Sequence, residues 1–447
     1  MRSSKSRPTR ALMAVVAGAL ALAGCSAGDL GSKGDSSGGG KVSLSFLVDN
    51  GAASVAMGNA LAKAFTAKNP DIAVKVETRP GGGDGDNIVK TKLSTGDMSD
   101  VFMYNSGSLF QAINPKTNLV PLTDEKFMSN VDDSFFPVVT AGSDKYGVPF
   151  GTAFGGGVLY NKPLFAKLNL QVPKTWAEFM ANNKKIKASG VPPVIQSYQT
   201  DTWTSQLFVL GDFHNVAAAE PDFAKQYTAG KKKYATDPAA LKSFERLQEV
   251  RDAGDMNKDF ASTTNAEALK KLADGEGAQY PMLTAVVPAI VANTPDKVKD
   301  VGFFALPGDD AATNGLTTWY PAGVYIPTST KGDKLAAAKK FLGFIATPAA
   351  CDLLNKTADA PPTGPYMVKG CTLPANVPPA VQDVVPYFDK AGAASPALEF
   401  LSPIKGPSLE QILIEVGSGI RSAESGAKLY DEDVKKQAQQ LGLPGWG

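Results

Sequence analysis

The chain is poor in the residues that carry most enzyme chemistry. Among 447 residues there is one histidine, His214, and there are three cysteines, Cys25, Cys351 and Cys371. No cysteine pair has ligand spacing, so no zinc centre is expected, and no other metal or cofactor. Asp84-Gly85-Asp86-Asn87 has the carboxylates of a calcium loop but neither the EF-hand pattern nor its bidentate Glu, and reads as a turn. A Ser-His-Asp triad would have to use His214, and Asp212 beside it is better read as a local structural partner. Gly81-Gly82-Gly83 is not followed by Gly-Lys-Ser/Thr, and no Gly-x-Gly-x-x-Gly opens a helix, which removes the phosphate-loop and dinucleotide classes. Gly34-Asp35-Ser36-Ser37-Gly38 matches the nucleophile-elbow letters without a strand before it or a helix after it. Paired glycosidase carboxylates are not excluded by residue type, because 44 acids offer many pairs.

Strong charge imbalance is also missing. Lys231 to Lys233 is the one dense basic run and reads as a solvated helix end, so no nucleic-acid partner is expected. Only one long apolar run exists, Ala11 to Gly24, preceded by Arg2, Lys5, Arg7 and Arg10. Its fourteen residues are too few to span a bilayer comfortably, and the pattern is that of a secretory signal. It ends in Leu22-Ala23-Gly24-Cys25, which resembles the lipobox of bacterial lipoproteins and implies that Cys25 becomes the lipidated N-terminus; an ordinary cleaved signal is the alternative. Two or more acyl chains there anchor a protein stably at a membrane surface. Ser26 to Gly40 reads as a flexible tether reaching roughly 20 Å. Without the four basic residues of the leader, 41 basic residues face 44 acidic ones, a mature charge near −3. Export favours a disulfide between Cys351 and Cys371, two free buried thiols being the alternative.

About 400 remaining residues exceed one ordinary core, so two lobes are expected. From Lys41 strand and helix alternate: a β-rich run Val42 to Val48, a helix with Val55, Met57, Leu61 and Phe65 on one face, a period-two strand at Ile72, Val74 and Val76, a short helix Asn87 to Leu93, and a strand Val101 to Tyr104. This pattern is α/β, and ligands of such sheets sit beyond the carboxyl ends of the strands. The rim loops are then Asp49 to Ala53, Arg79 to Asn87 and Asn105 to Ser108. The stretch Asp144 to Phe179, with Gly147, Pro149, Gly151 and Gly155 to Gly157, suits chain leaving one packed body for another. Thr175 with Glu178 predicts a capping box on a helix from Trp176 to Lys187, Val191 to Ile195 reads as a strand, and Trp319 to Pro327 has the texture of a further crossing.

Aromatic and uncharged polar residues gather on the rim loops and crossings. An aromatic face stacks on the C–H face of a sugar ring, and Asn, Asp or Ser pairs its hydroxyls. The candidates are Asp49, Asn50, Tyr104, Asn105, Phe154, Trp203, Tyr280, Trp319 and Tyr320, with Trp203 and Trp319 foremost because Asp201-Thr202 and Thr317-Thr318 make their surroundings polar. The competing role for each is core packing.

Several segments resemble the extracellular solute-binding proteins of ABC transporters, in the carbohydrate-binding group related to maltose-binding protein. They are Thr91 to Phe102, Tyr146-Gly147-Val148-Pro149, Val158 to Lys162, Pro173 to Phe179, Val301-Gly302-Phe303 with Leu306-Pro307-Gly308, and Ala338 to Phe344 leading to Thr347-Pro348. The resemblance implies a two-lobed periplasmic-binding-protein-like fold, each lobe a sheet flanked by helices, with a hinge between. It implies a non-enzymatic monomer at the extracellular face of the cell membrane that passes a sugar or oligosaccharide to a permease. It also places Tyr104 as a stacking aromatic, Phe154 in the first crossing and Trp203 on the second lobe's rim. Where relatives often carry a sugar-stacking tryptophan, Ala278 to Thr284 has none. The expected division is 1–25 leader, 26–40 tether, 41–150 with 277–325 as lobe 1, and 151–276 with 326–447 as lobe 2, with crossings also near Gly275 to Gln279 and Gly323 to Pro327. A secreted carbohydrate-cleaving lipoprotein and a surface sensor or peptide-binding protein using the same cleft are the rivals.

Overall fold

A computed structural model describes residues 41–446; the leader, the tether and Cys25 lie outside the described residues. The β-rich run after Lys41 forms β1 (Val42–Asp49), and the chain continues through β2 (Ile72–Arg79), β3 (Val101–Tyr104), a small hairpin of β4 (Thr140–Ala141) and β5 (Asp144–Lys145), and β6 (Val148–Phe150). Then follow β7 (Phe154–Asn161), β8 (Gln279–Leu283), β9 (Val301–Ala305), β10 (Leu316–Trp319), β11 (Ala322–Tyr325) and β12 (Ala394–Pro396). Two five-stranded sheets result. The first has the order β2-β1-β3-β11-β6, parallel across β2, β1 and β3 and antiparallel at β11. The second is built on β7, which pairs antiparallel with β8, β9 and β10, while β12 adds parallel to β10.

The helices of the first lobe follow their apolar spacing. Leu61, Ala62 and Phe65 of the helix Ala52–Lys68 are buried, and Asn69-Pro70 ends it. The helix Gly82–Thr95 stops at Gly96, whose φ of 76° gives the left-handed cap. Phe341 of the helix Gly332–Ile345 packs edge-on against Phe46 of β1 and also touches Phe65, drawing this late helix into the first core. In the second lobe, the alternation of a strand sends Val158 and Phe304 to one face and Leu159 and Phe303 to the other, so the sheet carries a core on each side. The capping box at Thr175 and Glu178 opens the helix Trp176–Ala188.

The division of the chain differs from the sequence expectation. Residues 279–319 supply β8, β9 and β10 to the second sheet, so 277–325 does not belong to the first lobe as a block; only β11 does. The segment 326–354 returns to the first core through Ile326, Phe341 and Leu354 rather than joining the second lobe. The expected crossing near Gly275 to Gln279 lies inside the second lobe, because Gln279 pairs with Tyr160 of β7. The crossings are instead between β6 and β7, between β10 and β11, and between Met367 in the first core and Val377 in the second lobe. The sequence expectation failed here because β-rich runs show that a strand forms and not which sheet accepts it. Val191 to Ile195 also departs from expectation: Pro192 and Pro193 lack donors, and Val194 makes only isolated bridges to Met256 and Gln279.

Cys351 and Cys371 form a disulfide, 20 residues apart in sequence. The loop it closes contains Ala360 to Thr363 and Tyr366, which line the space between the lobes. In the chain-entropy account a loop of this length contributes about 3 kcal/mol. The Cys351→Ser, Cys371→Ser double variant is expected to lose stability of that order, measured as a lowered urea midpoint with a slope that rises as the freed unfolded chain expands.

Candidate functional site

Between the lobes lies a cleft of about 820 Å³, within the range of small-molecule sites. The three loops at the strand ends of the first sheet all contribute lining: Asp49 and Ala53, Gly82 to Asn87 in part, and Asn105 to Ser108 in part. The opposite wall comes from Trp203, Gln206, Glu399, Lys405 and Glu410, and the crossings add Phe154, Trp319 and Tyr320.

Trp319 is held by contacts on several sides. It ends β10, opposite Phe154 at the start of β7, and their rings stack with centroids 6.4 Å apart and planes 9° from parallel. Its indole Nε1 donates to Glu399, which also pairs with Lys405 at 3.8 Å. A Cβ on Gly156 would meet the indole at 2.2 Å, so that glycine is what lets the ring lie across β7. The run Gly155 to Gly157 reads in sequence as part of a crossing between two bodies; here it is strand of the second sheet, kept bare by packing against Leu316, Trp319 and Phe304.

The other candidates separate into lining and core. Asp49 lines the cleft but its carboxylate also accepts from Gly51 N at 2.8 Å and Ser54 Oγ at 3.0 Å, closing the turn into the first helix. Asn105, Trp203 and Tyr320 line it directly. Asn50 does not; it is exposed, with its backbone N–H on Arg79 O. Tyr280 does not either: it is 1 % exposed in the second lobe's core, its phenol oxygen 2.6 Å from Ser197 Oγ and 3.2 Å from Asn265 Oδ1. Tyr104 is fully buried, with the Arg79 guanidinium over its ring at 5.7 Å. Burial, together with the nearby Asp86 carboxylate, pushes its phenol far above the ordinary range. Tyr104 is thus a wall behind the cleft and not a stacking face. On β3 all four residues are buried, so period-two reasoning had no exposed face to find.

Lining residues absent from the sequence candidates include Gln206, Glu399, Phe400, Lys405 and Glu410, and Asp86, which the sequence placed on a rim loop without a role of its own. Asp86 lies in the first turns of the helix Gly82–Thr95, which starts five residues before the expected Asn87, so Asp84 to Asn87 is helix and not the turn read from sequence. Burial raises its carboxyl above the usual range against the pull of Arg79, which is itself 5 % exposed. Among the described residues no group of three or more His, Cys, Asp or Glu could hold a metal ion, and no helix is long and apolar enough to cross a membrane.

Two sheets flanked by helices, three chain crossings and a walled cleft between define a two-lobed binding protein, and the model of the bacterial extracellular solute-binding proteins matches residues 53–350. The chain belongs to that family. Its relatives include a multiple sugar-binding protein of Streptococcus mutans serotype c, 26 % identical over 73 % of this chain and 76 % of the relative. An uncharacterized ABC transporter extracellular-binding protein of Pyrococcus horikoshii is 28 % identical over 66 % of each chain. Among solved structures, a chitin oligosaccharide binding protein superposes with a TM-score of 0.76 at 23 % identity, covering 89 % of this chain and 99 % of that one.

Proposed function

We propose that this protein captures a sugar or oligosaccharide between its lobes, at the outer face of a membrane to which Cys25 anchors it, and hands it to an ABC importer permease as a monomer. The observation that carries the sugar reading is the Phe154–Trp319 stack edging a cleft lined by Asp49, Asp86, Asn87 and Asn105: an apolar ring platform opposite hydroxyl-pairing groups. The name of the streptococcal relative agrees with it. Binding favours closure by the difference in ligand affinity between the two conformations, and no bond in the ligand is broken.

A thermal-shift screen of the mature chain against mono- and oligosaccharides tests the proposal. A sugar at 100 times its dissociation constant adds about 2.7 kcal/mol of stability. Shifts by peptides alone would overturn the sugar reading, and release of shortened product would point to the carbohydrate-cleaving alternative.

Asp86 makes the affinity pH-dependent. A ligand hydroxyl donates to the carboxylate, so affinity is full above the raised pKa and falls as pH drops through it, at a higher pH than for an ordinary carboxyl. For folding alone the sign is opposite: a raised folded pKa contributes stability present below the unfolded value and lost as pH rises through the folded one. Asp86→Asn is expected to weaken binding by about tenfold at neutral pH and to flatten the acid-side loss. Calorimetric titration across the acid range reads both effects.

A further inference from the structure

The segment that follows β12 is anchored in one lobe and rests on the other. Leu398 belongs to the second lobe's core, buried with Phe304 and Leu409. Two residues on, Phe400 packs against the first core instead. Its ring meets Tyr320 edge-on at 5.3 Å, and Tyr320 in turn meets Phe135 at 6.4 Å. The seat for Phe400 is cut by Gly107, in the loop after β3. A Cβ there would stand 2.7 Å from both the Glu399 carbonyl and the Phe400 ring, and the φ of 72° already selects glycine. A shallow hollow continues the contact, with Gly107, Ser108, Gln111 and Pro137 on one side and Glu399 to Pro403 on the other. Pro396, Pro403 and Pro407 stiffen the segment, and the intervening Glu399 carboxylate holds the Trp319 indole.

We infer that Leu398 to Lys405 is a strap that latches the two lobes together across the cleft, with Phe400 as its key and the notch over Gly107 as its seat. The latch acts in the ligand-free protein. It adds to the closed state an aromatic contact that the open state lacks, and so raises the binding-competent fraction and with it the apparent affinity. The inference rests on the cleft being the ligand site only for that last consequence; the conformational claim needs no ligand.

Single-molecule energy transfer on the full chain tests it, with dyes on Lys63→Cys in the first lobe and Lys436→Cys in the second, both exposed positions. Without ligand, the parent protein is expected to populate a closed state, and Phe400→Ala to lower the closed-to-open ratio by about tenfold. Phe400→Tyr retains the ratio, and Ile420→Ala, an exposed apolar residue of the second lobe outside the strap, leaves it unchanged. Should Phe400→Ala fail to fold, Phe400→Leu takes its place with an intermediate loss. A ratio within about twofold of the parent for Phe400→Ala and Phe400→Leu, an equal loss in Ile420→Ala, or a parent chain that is open throughout would overturn the latch. Since no sugar is added, these outcomes are independent of the ligand screen.

Discussion

Replacing Trp319 with alanine is expected to weaken sugar binding by at least 100-fold, about 3 kcal/mol, the scale of a buried aromatic hot spot. The ring is held on three sides: by Phe154 in parallel, by the Glu399 carboxylate at Nε1, and by the bare backbone of Gly156. A side chain so fixed has already lost its rotamer entropy before ligand arrives, so the contact it makes is not offset by ordering. Trp319 is only 6 % exposed, and alanine also leaves a cavity costing roughly 3–5 kcal/mol of stability. Binding must therefore be titrated at a temperature where circular dichroism shows the variant folded. Trp319→Phe, which keeps a stacking face but not the indole N–H, is expected to fall between. Unchanged affinity in Trp319→Ala would return this ring to a purely core role.

Arg246→Ala is expected to destabilise the second lobe by about 3–5 kcal/mol, without any contact to the cleft. Arg246, 5 % exposed, pairs with Asp212, which is fully buried, and reaches Asp309 Oδ1 at 3.1 Å; its guanidinium also lies over the Trp176 ring at 5.4 Å. The network ties the helix Pro238–Asp252 to the turn before Phe213 and to the loop after β9. Removing the cation leaves the Asp212 carboxylate in the core with Asn215 Nδ2, at 2.7 Å, as its remaining donor. Differential scanning calorimetry reads the loss. The Asp212→Asn, Arg246→Met pair is expected to recover most of it, because the penalty comes from the stranded charge more than from the lost pair. Failure of the pair to recover would assign the loss to the Trp176 packing instead.

The two lobes were legible in different degrees. In the first, local rules sufficed: alternation at Ile72, Val74 and Val76, the apolar face at Leu61 and Phe65, and the stop at Asn69-Pro70 each have a short-range cause, and each element formed within a few residues of its expected bounds. The rim loops followed from them, because the carboxyl ends of parallel strands share one edge. Trp319 was found for a similarly local reason, the polar Thr317-Thr318 before it. Tyr104 and Tyr280 were misjudged because neighbours in sequence do not report what covers a side chain: Arg79 and Asp86 enclose the first, Ser197 and Asn265 the second, and none adjoins its tyrosine in the chain.

By itself the sequence determined the α/β pattern and the need for two cores, and it placed aromatic residues at the site, since these depend on periodicity, length and residue type; the expected uncharged texture is corrected by Asp86, Glu399, Lys405 and Glu410 in the cleft wall. Only the tertiary structure decided which lobe took 277–325 and 326–354, how Gly156 makes room for Trp319, and that Glu399 and Phe400 reach back over the cleft. Sheet membership and close approach are pairings between segments up to hundreds of residues apart, set by which surfaces exclude water together. No short window of the chain contains both partners of such a contact.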